Sequence, residues 1–373
     1  MVNSINLIRN ANIAKNKDGD FFYFHVDSDL KINCSTLYGR NSSSSVSTTI
    51  YTTKKNIIED TNTVTSSNTL QGVLISIVWC ERQAISSLTE LHYAEIDDNL
   101  KIIRQTTLDD ALAFKEHLLA RAAIVDDVLL VSWIDGMEQN IKLRLFSLDS
   151  LQPLSTELEI DEYLNLNYFN DAQSRTANLT LTSIGNNQFF LQFLLETGSI
   201  CTYKIAIADN ALTSTHLFEQ GGENVGFHET LFDKDQQQLL TVYSENKVTD
   251  TTNINDIYII SQTIFSEISR HNVSGTPQRV NQSTGFYLRP VIVKYIDQYI
   301  ILWQGNKLHY IGLNSDLNVN LPEAFLDVLN PARIAIMEHG TLLVSAQLDN
   351  WSTIDYGESL FSSEITNLIY HPH

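Results

Sequence analysis

Apolar positions in this chain come in short runs set off by polar turns, not in helical spacing. Seven stretches share one layout: DGDFFYF from 18, GVLISIVW from 72, DDVLLVSW from 126, NNQFFLQF from 186, QQLLTVY from 237, DQYIILW from 297 and HGTLLVSA from 339. Most are preceded by another apolar run and a two-residue turn of the Asp-Gly, Asn-Asn or Asp-Asp kind, which predicts a hairpin. A third run usually follows, as in TELHYAEID, IKLRLFSLD, CTYKIAIAD, DIYIISQTI and KLHYIGLNS. The unit is strand, turn, strand, strand, and it recurs about every 50 residues, the period of a repeat architecture.

Three or four antiparallel strands per unit, seven times over, predict an all-β chain: a seven-bladed β-propeller with three- to four-stranded blades. A parallel β-helix would repeat at shorter intervals, and two sandwiches would not carry one strand pair along the whole chain. Through these runs the sequence resembles the bacterial β-propeller superfamily over nearly its full length, with no narrower family indicated. The expectation is a single domain spanning 1–373, with VNSINLI at about 2–8 supplying a strand that closes the C-terminal blade. Two segments depart from the pattern. Thr107-Leu-Asp-Asp110 has capping-box spacing ahead of DALAFKEHLLA and predicts a short helix inserted near 107–120. The Ser-rich stretch Asn41–Thr49 reads as a loop.

Charge narrows the partners. Twenty-four Lys and Arg against 44 Asp and Glu leave a net charge of -20, which repels phosphate backbones and anionic lipid surfaces. The expected partners are therefore a protein or a glycan, or a small anionic ligand, with no nucleic acid and no membrane. No apolar run approaches the roughly 18 residues of a membrane span, and the first residues lack the layout of a secretory signal. The three cysteines, Cys34, Cys80 and Cys201, are far apart, as reduced structural thiols are. The reading is cytoplasmic, with export by a non-classical route left open, and no cofactor or metal is expected.

Candidate chemistry falls at the ends of strands. In each unit the start of the first strand and the end of the second lie near one face. The first-strand starts carry Arg9, Arg121, Arg289 and Arg333, and the second-strand ends carry Trp79, Trp133 and Trp303. Guanidinium forks beside flat rings would hold a carboxylate or a hydroxyl-rich ligand. Counting across a two-residue turn sets Trp133 opposite Ala120 and Trp303 opposite Ile292. The bland alternative is that the rings fill the space between blades and the arginines pair with neighbouring carboxylates. His228 and Glu229, in GFHETLF, are weak candidates for an acid/base pair, and as neighbours on a strand they point to opposite faces. The triplet Leu-His-Tyr occurs at 91–93 and again at 308–310. Asn314–Asn320 reads as a polar turn, lacking the Gly and Glu of a calcium loop. No nucleophile elbow, metalloprotease helix, P-loop or dinucleotide fingerprint is present in the sequence. Two functions follow: a binding module recognising a glycan or protein partner through one face of the ring, or an enzyme acting on a small anionic or hydroxyl-rich substrate in a central funnel.

Overall fold

The computed structural model describes residues 9–15, 21–26, 31–38, 47–52, 56–64, 68–69, 72–73, 75–83, 89–97, 99, 101–109, 117–125, 127–162, 164, 179–221, 225–249, 252–263, 278–282, 288–295, 297–305, 307–326, 331–336, 342–347 and 354–355. Among them there is no helix, and so none long and apolar enough to cross a membrane. Six four-stranded sheets and one three-stranded sheet follow one another, each a meander in chain order, and a two-stranded hairpin of Asn68–Thr69 and Gly72–Val73 is inserted in the second.

Sheet one holds Arg9–Lys15, Phe21–Val26, Lys31–Tyr38 and Ser47–Thr52. Sheet two holds Asn56–Val64, Ile75–Gln83, Thr89–Ile96 and Ile102–Asp109. Sheet three holds His117–Val125, Val128–Asp135, Asn140–Ser147 and Leu158–Ile160. Sheet four holds Leu179–Gly185, Gln188–Leu194, Ile200–Ala208 and Ala211–Gln220. Sheet five holds Val225–Asp233, Gln238–Thr249, Thr252–Thr263 and Gln278–Arg279. Sheet six holds Leu288–Tyr295, Gln298–Gln304, Leu308–Asn314 and Val319–Leu326. Sheet seven holds Pro331–Ile336, Leu342–Gln347 and Ile354–Asp355. Each of the seven apolar runs singled out in the sequence covers the beginning of the second strand of one sheet.

The chain divides into two compact units, one of Asn6–Leu191 with Lys204–Thr215 and the other of Gln192–Tyr203 with His216–His373. Within the former, the first strands of sheets one, two and three pack in succession, and that of sheet three meets Leu179–Gly185. Within the latter, Val225–Asp233 packs on Leu288–Tyr295, which packs on Pro331–Ile336. The sheets also stack face to face. Val78, Cys80 and Leu91 of sheet two share a core with Leu129, Val131, Trp133 and Phe146 of sheet three. Val242, Ile257 and Ile259 of sheet five share another with Ile292, Ile301 and Trp303 of sheet six. Leu194 and Ile200 meet Val225 and Tyr243 in a third. The middle strands are thus covered on both faces, and they read as continuous apolar runs instead of alternating ones.

The helix expected near 107–120 is not there at either end. Residues 107–109 close the strand Ile102–Asp109 and residues 117–120 open His117–Val125, while 110–116 lie outside the described residues. Cross-strand pairing of Thr107 with His92 outweighs the local capping signal. The expected loop at Asn41–Thr49 gives way at its end to the strand Ser47–Thr52, and the strand expected at about 2–8 lies outside the described residues.

One tight contact is open to test. Gly312 lies on the third strand of sheet six, and a Cβ there would sit 2.6 Å from the Leu321 Cβ and 3.0 Å from the Asn320 side-chain oxygen. The Leu321 Cβ is fixed to the backbone of the fourth strand and cannot rotate away. Gly312→Val is expected to destabilise by about 1–3 kcal/mol, read as a lower denaturant midpoint. An unchanged midpoint would mean that the outer strand is not held in this register.

Candidate functional site

The first strands share a distortion that the sequence did not announce. In sheet three Leu118 pairs with Ile134 and Arg121 with Ser132, so Leu119 and Ala120 both oppose Trp133 in a β-bulge. Leu119 takes a left-handed φ of 52° there. In sheet five the bulge lies between Val225 and His228, with Gly226 and Phe227 opposite Ser244. In sheet six it lies between Leu288 and Val291, with Arg289 and Pro290 opposite Trp303. The first strands of sheets one, two and seven also shift register, between Arg9 and Asn12, between Ile58 and Asp60 and between Pro331 and Arg333. Bulges free backbone groups from the ladder and re-aim side chains, and here all six irregularities lie in the first half of a first strand.

This register corrects the expected alignment of the site residues. Trp303 faces Arg289 and Pro290, not Ile292, which pairs with Ile301. Arg9 precedes its bulge, Arg289 lies in one, and Arg121 and His228 follow theirs, so the arginines are not equivalent positions. Arg333 is the third residue of Pro331–Ile336, opposite Ser345.

Side-chain environments sort the candidates further. Trp79, Trp133 and Trp303 are 0%, 1% and 0% exposed, and the last two are members of the inter-sheet cores. Rings enclosed in this way present no face to a ligand. Arg121 is buried; its Nε donates to the Leu179 carbonyl at 2.9 Å and its Nη1 to the Ala120 carbonyl at 2.8 Å. The guanidinium therefore ties the bulge of sheet three to the next first strand. His228 is 1% exposed and pairs with Tyr243, whereas Glu229 is half-buried. The strand alternation directs these neighbours to opposite faces, which separates the proposed acid/base pair. Of Arg9, Arg289 and Arg333 the structure describes the backbone placement at the first-strand starts.

Across the strands runs a row of side chains. Trp79 pairs with His92 and stacks on it at 5.3 Å and 13°. Tyr243 pairs with Tyr258 at 5.5 Å and 18°, and Trp303 with His309 at 5.8 Å and 16°. Phe193 stacks on Tyr203, which meets His216 edge-on. Trp133 pairs with Lys142 instead. The two Leu-His-Tyr triplets thus mark the third-strand histidines stacked on buried tryptophans. His309 Nδ1 lies 3.1 Å from Glu323, and Phe325, tilted against His309, is 55% exposed with the Lys307 ammonium 4.2 Å from its ring centre.

Titratable groups are held by local partners. His92 Nε2 lies 3.1 Å from Glu90 and 3.6 Å from Glu81, and its Nδ1 lies 3.3 Å from the Thr107 hydroxyl. Burial lowers its pKa, and the two carboxylates oppose that only in part. At the other end of sheet five, burial pushes the Asp233 carboxyl up. Donation by Lys294 at 2.8 Å, by the Tyr299 hydroxyl at 2.5 Å and by the backbone of Asp235 and Gln236 more than reverses this, so the carboxyl stays below its usual range. This network clamps sheet five to sheet six. Among the described residues no group of three His, Cys, Asp or Glu could hold a metal ion.

No family model and no curated protein matches the sequence. Solved structures do share its fold. Hydrazine synthase of Kuenenia stuttgartiensis superposes with a TM-score of 0.56 at 10% identity, over 96% of this chain and 97% of that one. A fungal lectin of Aleuria aurantia, a six-bladed β-propeller, gives 0.47 at 11% identity over 87% and 95%. AofleA of Arthrobotrys oligospora gives 0.48 at 11% over 88% and 90%.

The stacked Trp79–His92 pair predicts a pH response. Above about pH 6.5 the imidazole is neutral in both folded and unfolded chains. As pH falls below that value the unfolded chain takes the proton first, because burial lowers the folded pKa, so stability is lost with acidification. The stability difference between the wild type and His92→Gln should therefore narrow from pH 7 to pH 5 as the wild type weakens. A difference independent of pH over that range would contradict the assignment. The meandering antiparallel sheets and the fold shared with solved structures make this an all-β, propeller-like chain.

Proposed function

We propose that this chain is a β-propeller binding module that recognises a glycan or a protein partner at the end of its sheets where the first strands begin. One observation carries the reading. In the unit that holds sheets five to seven, adjacent first strands bring His228, Arg289 and Arg333 to their starting ends, beside the register shift that each of these strands carries. Guanidinium forks on a chain of net charge -20 suit hydroxyl or carboxylate groups of a ligand. In the other unit Arg9 and Arg121 occupy the same end of their strands, where Arg121 frames the bulge. The tryptophans enter as the packed support of this end, and His228 and Glu229 diverge, which favours binding over turnover. Of the two partner classes, the glycan is the one tested first.

A thermal-shift screen of the wild type against mono- and oligosaccharides should yield a ligand. Present at 100 times its dissociation constant, such a ligand would add about 2.7 kcal/mol to stability. The double variant Arg289→Ala/Arg333→Ala should lose most of that shift while keeping its unliganded midpoint. An undiminished shift in the variant would remove the arginines from the site. A wild type that answers to no saccharide would leave a protein partner as the surviving form of the reading.

The proposal extends to seven blades in a single domain spanning 1–373, with residues 2–8 pairing on the C-terminal blade. Deleting 2–8 should then lower the unfolding midpoint of the whole chain in one cooperative transition, and a deletion as stable as the intact chain would refute closure by this segment.

A further inference from the structure

Sheet five carries two buried amide groups for which its fold gives no use. Asn246 and Asn255 stand directly opposite one another on its second and third strands. The side-chain oxygen of each is buried and has no hydrogen-bond partner. Asn255 is 4% exposed, whereas Asn246 is half-buried, so the pair reaches from the interior towards solvent. Other buried polar groups of the unit, such as Gln238 Oε1, the Tyr243 hydroxyl and Gln262 Oε1, are likewise unmade, but none of them faces a second unmade acceptor directly across the ladder. Gln192, 0% exposed, donates to Thr202 at 2.9 Å and to Thr241 at 3.1 Å and accepts from Thr230. An acceptor left unmade in the interior destabilises the fold.

The position of the pair is informative. Strand alternation puts Asn255 on the same side as Ile257 two residues on, and Ile257 packs in the core shared with Ile292 and Trp303 of sheet six. Glu245, next to Asn246, pairs with Val225, the first residue of the first strand. The two oxygens therefore lie on the sheet-six side, at the end of sheet five where the first strand begins. Glu245 and Asp256 project to the opposite side, and there Asp256 accepts from Asn281 at 3.0 Å and Arg279 at 2.9 Å. Two neutral oxygens are too few and too weakly charged for a divalent cation, which takes six or more oxygens. They suit an uncharged donor that brings its own hydrogen.

We propose that Asn246 and Asn255 form a hydroxyl-binding subsite, accepting hydrogen bonds from the hydroxyl groups of a saccharide. This rests on the binding reading above and names the groups that would hold the ligand in sheet five. It also accounts for two unmade acceptors that stand opposite one another.

The test uses the full chain with Asn255→Leu and, at the half-buried position, Asn246→Ala. Denaturant midpoints are measured without sugar, and dissociation constants with glucose, galactose, mannose and fucose. The expected result is an unliganded midpoint equal to or above that of the wild type, with affinity for the bound sugar weakened about tenfold or more. A lowered midpoint in both variants would show that the amides serve the fold by bonding to each other and would overturn the subsite. So would unchanged sugar affinity. Calcium chloride that raises the wild-type midpoint but not that of Asn255→Leu would replace the subsite with a cation site. Sugar binding that responds to Arg289→Ala/Arg333→Ala but not to the asparagine variants would overturn the subsite alone. A wild type that binds none of the four sugars would overturn the glycan reading and the subsite together.

Discussion

Burial of the middle strands on both faces is the constraint on which the rest depends. A sheet with one wet face can alternate apolar and polar residues, but a blade packed between two others cannot. Val128–Asp135 and Gln188–Leu194 are accordingly buried along almost their whole length, while the outer strand Ala211–Gln220 is mostly exposed. Large rings at matched places on the second strands fill the gaps between blades. The same constraint favours partners for polar groups in the middle strands, as Gln192 finds among Thr202, Thr230 and Thr241.

Polar chemistry is therefore pushed to the ends of the strands, and the two ends of sheet five are used differently. At the hairpin joining its first two strands, Asp233 is saturated by Lys294, Tyr299 and two backbone amides. That end is a clamp, and its carboxylate has no capacity left for a ligand. At the opposite end the ladder is broken by a bulge, one bulge amide is held by the Ser244 hydroxyl at 3.1 Å, and the amide oxygens of Asn246 and Asn255 remain unmade. A protein that binds with a rigid scaffold needs this division, because groups already satisfied by the fold have little to offer a ligand.

How much of this could be read in the sequence follows from the same physics. Burial on both faces writes continuous apolar runs, so the second strand of every sheet was found. The helix expected near 107–120 gives way to strand at both described ends because a capping box and a helical stripe are local signals, whereas the pairing of Thr107 with His92 is a long-range one. The tryptophans were marked by their recurrence, but recurrence at a strand position is what packing between repeats produces. Arg121 was found as a residue and misjudged in its surroundings, since nothing local shows that the Leu179 carbonyl waits 2.9 Å away. The bulges left no sequence mark, and one extra residue was enough to move Trp303 from Ile292 to Arg289 and Pro290.

Asn246 and Asn255 were invisible for a related reason. They lie in SENKVTDTTNIND, a stretch whose polarity reads as a loop, yet it folds as the tip of a hairpin with twelve residues in each strand. Beyond Glu245 the hairpin outruns the first strand, whose pairing begins at Val225. Extending two strands past their neighbour carries polar residues to the edge of the packed core without exposing apolar ones. The overhang and the bulge occur at the same end of the same sheet, which is where a ligand could meet side chains that the fold itself does not use.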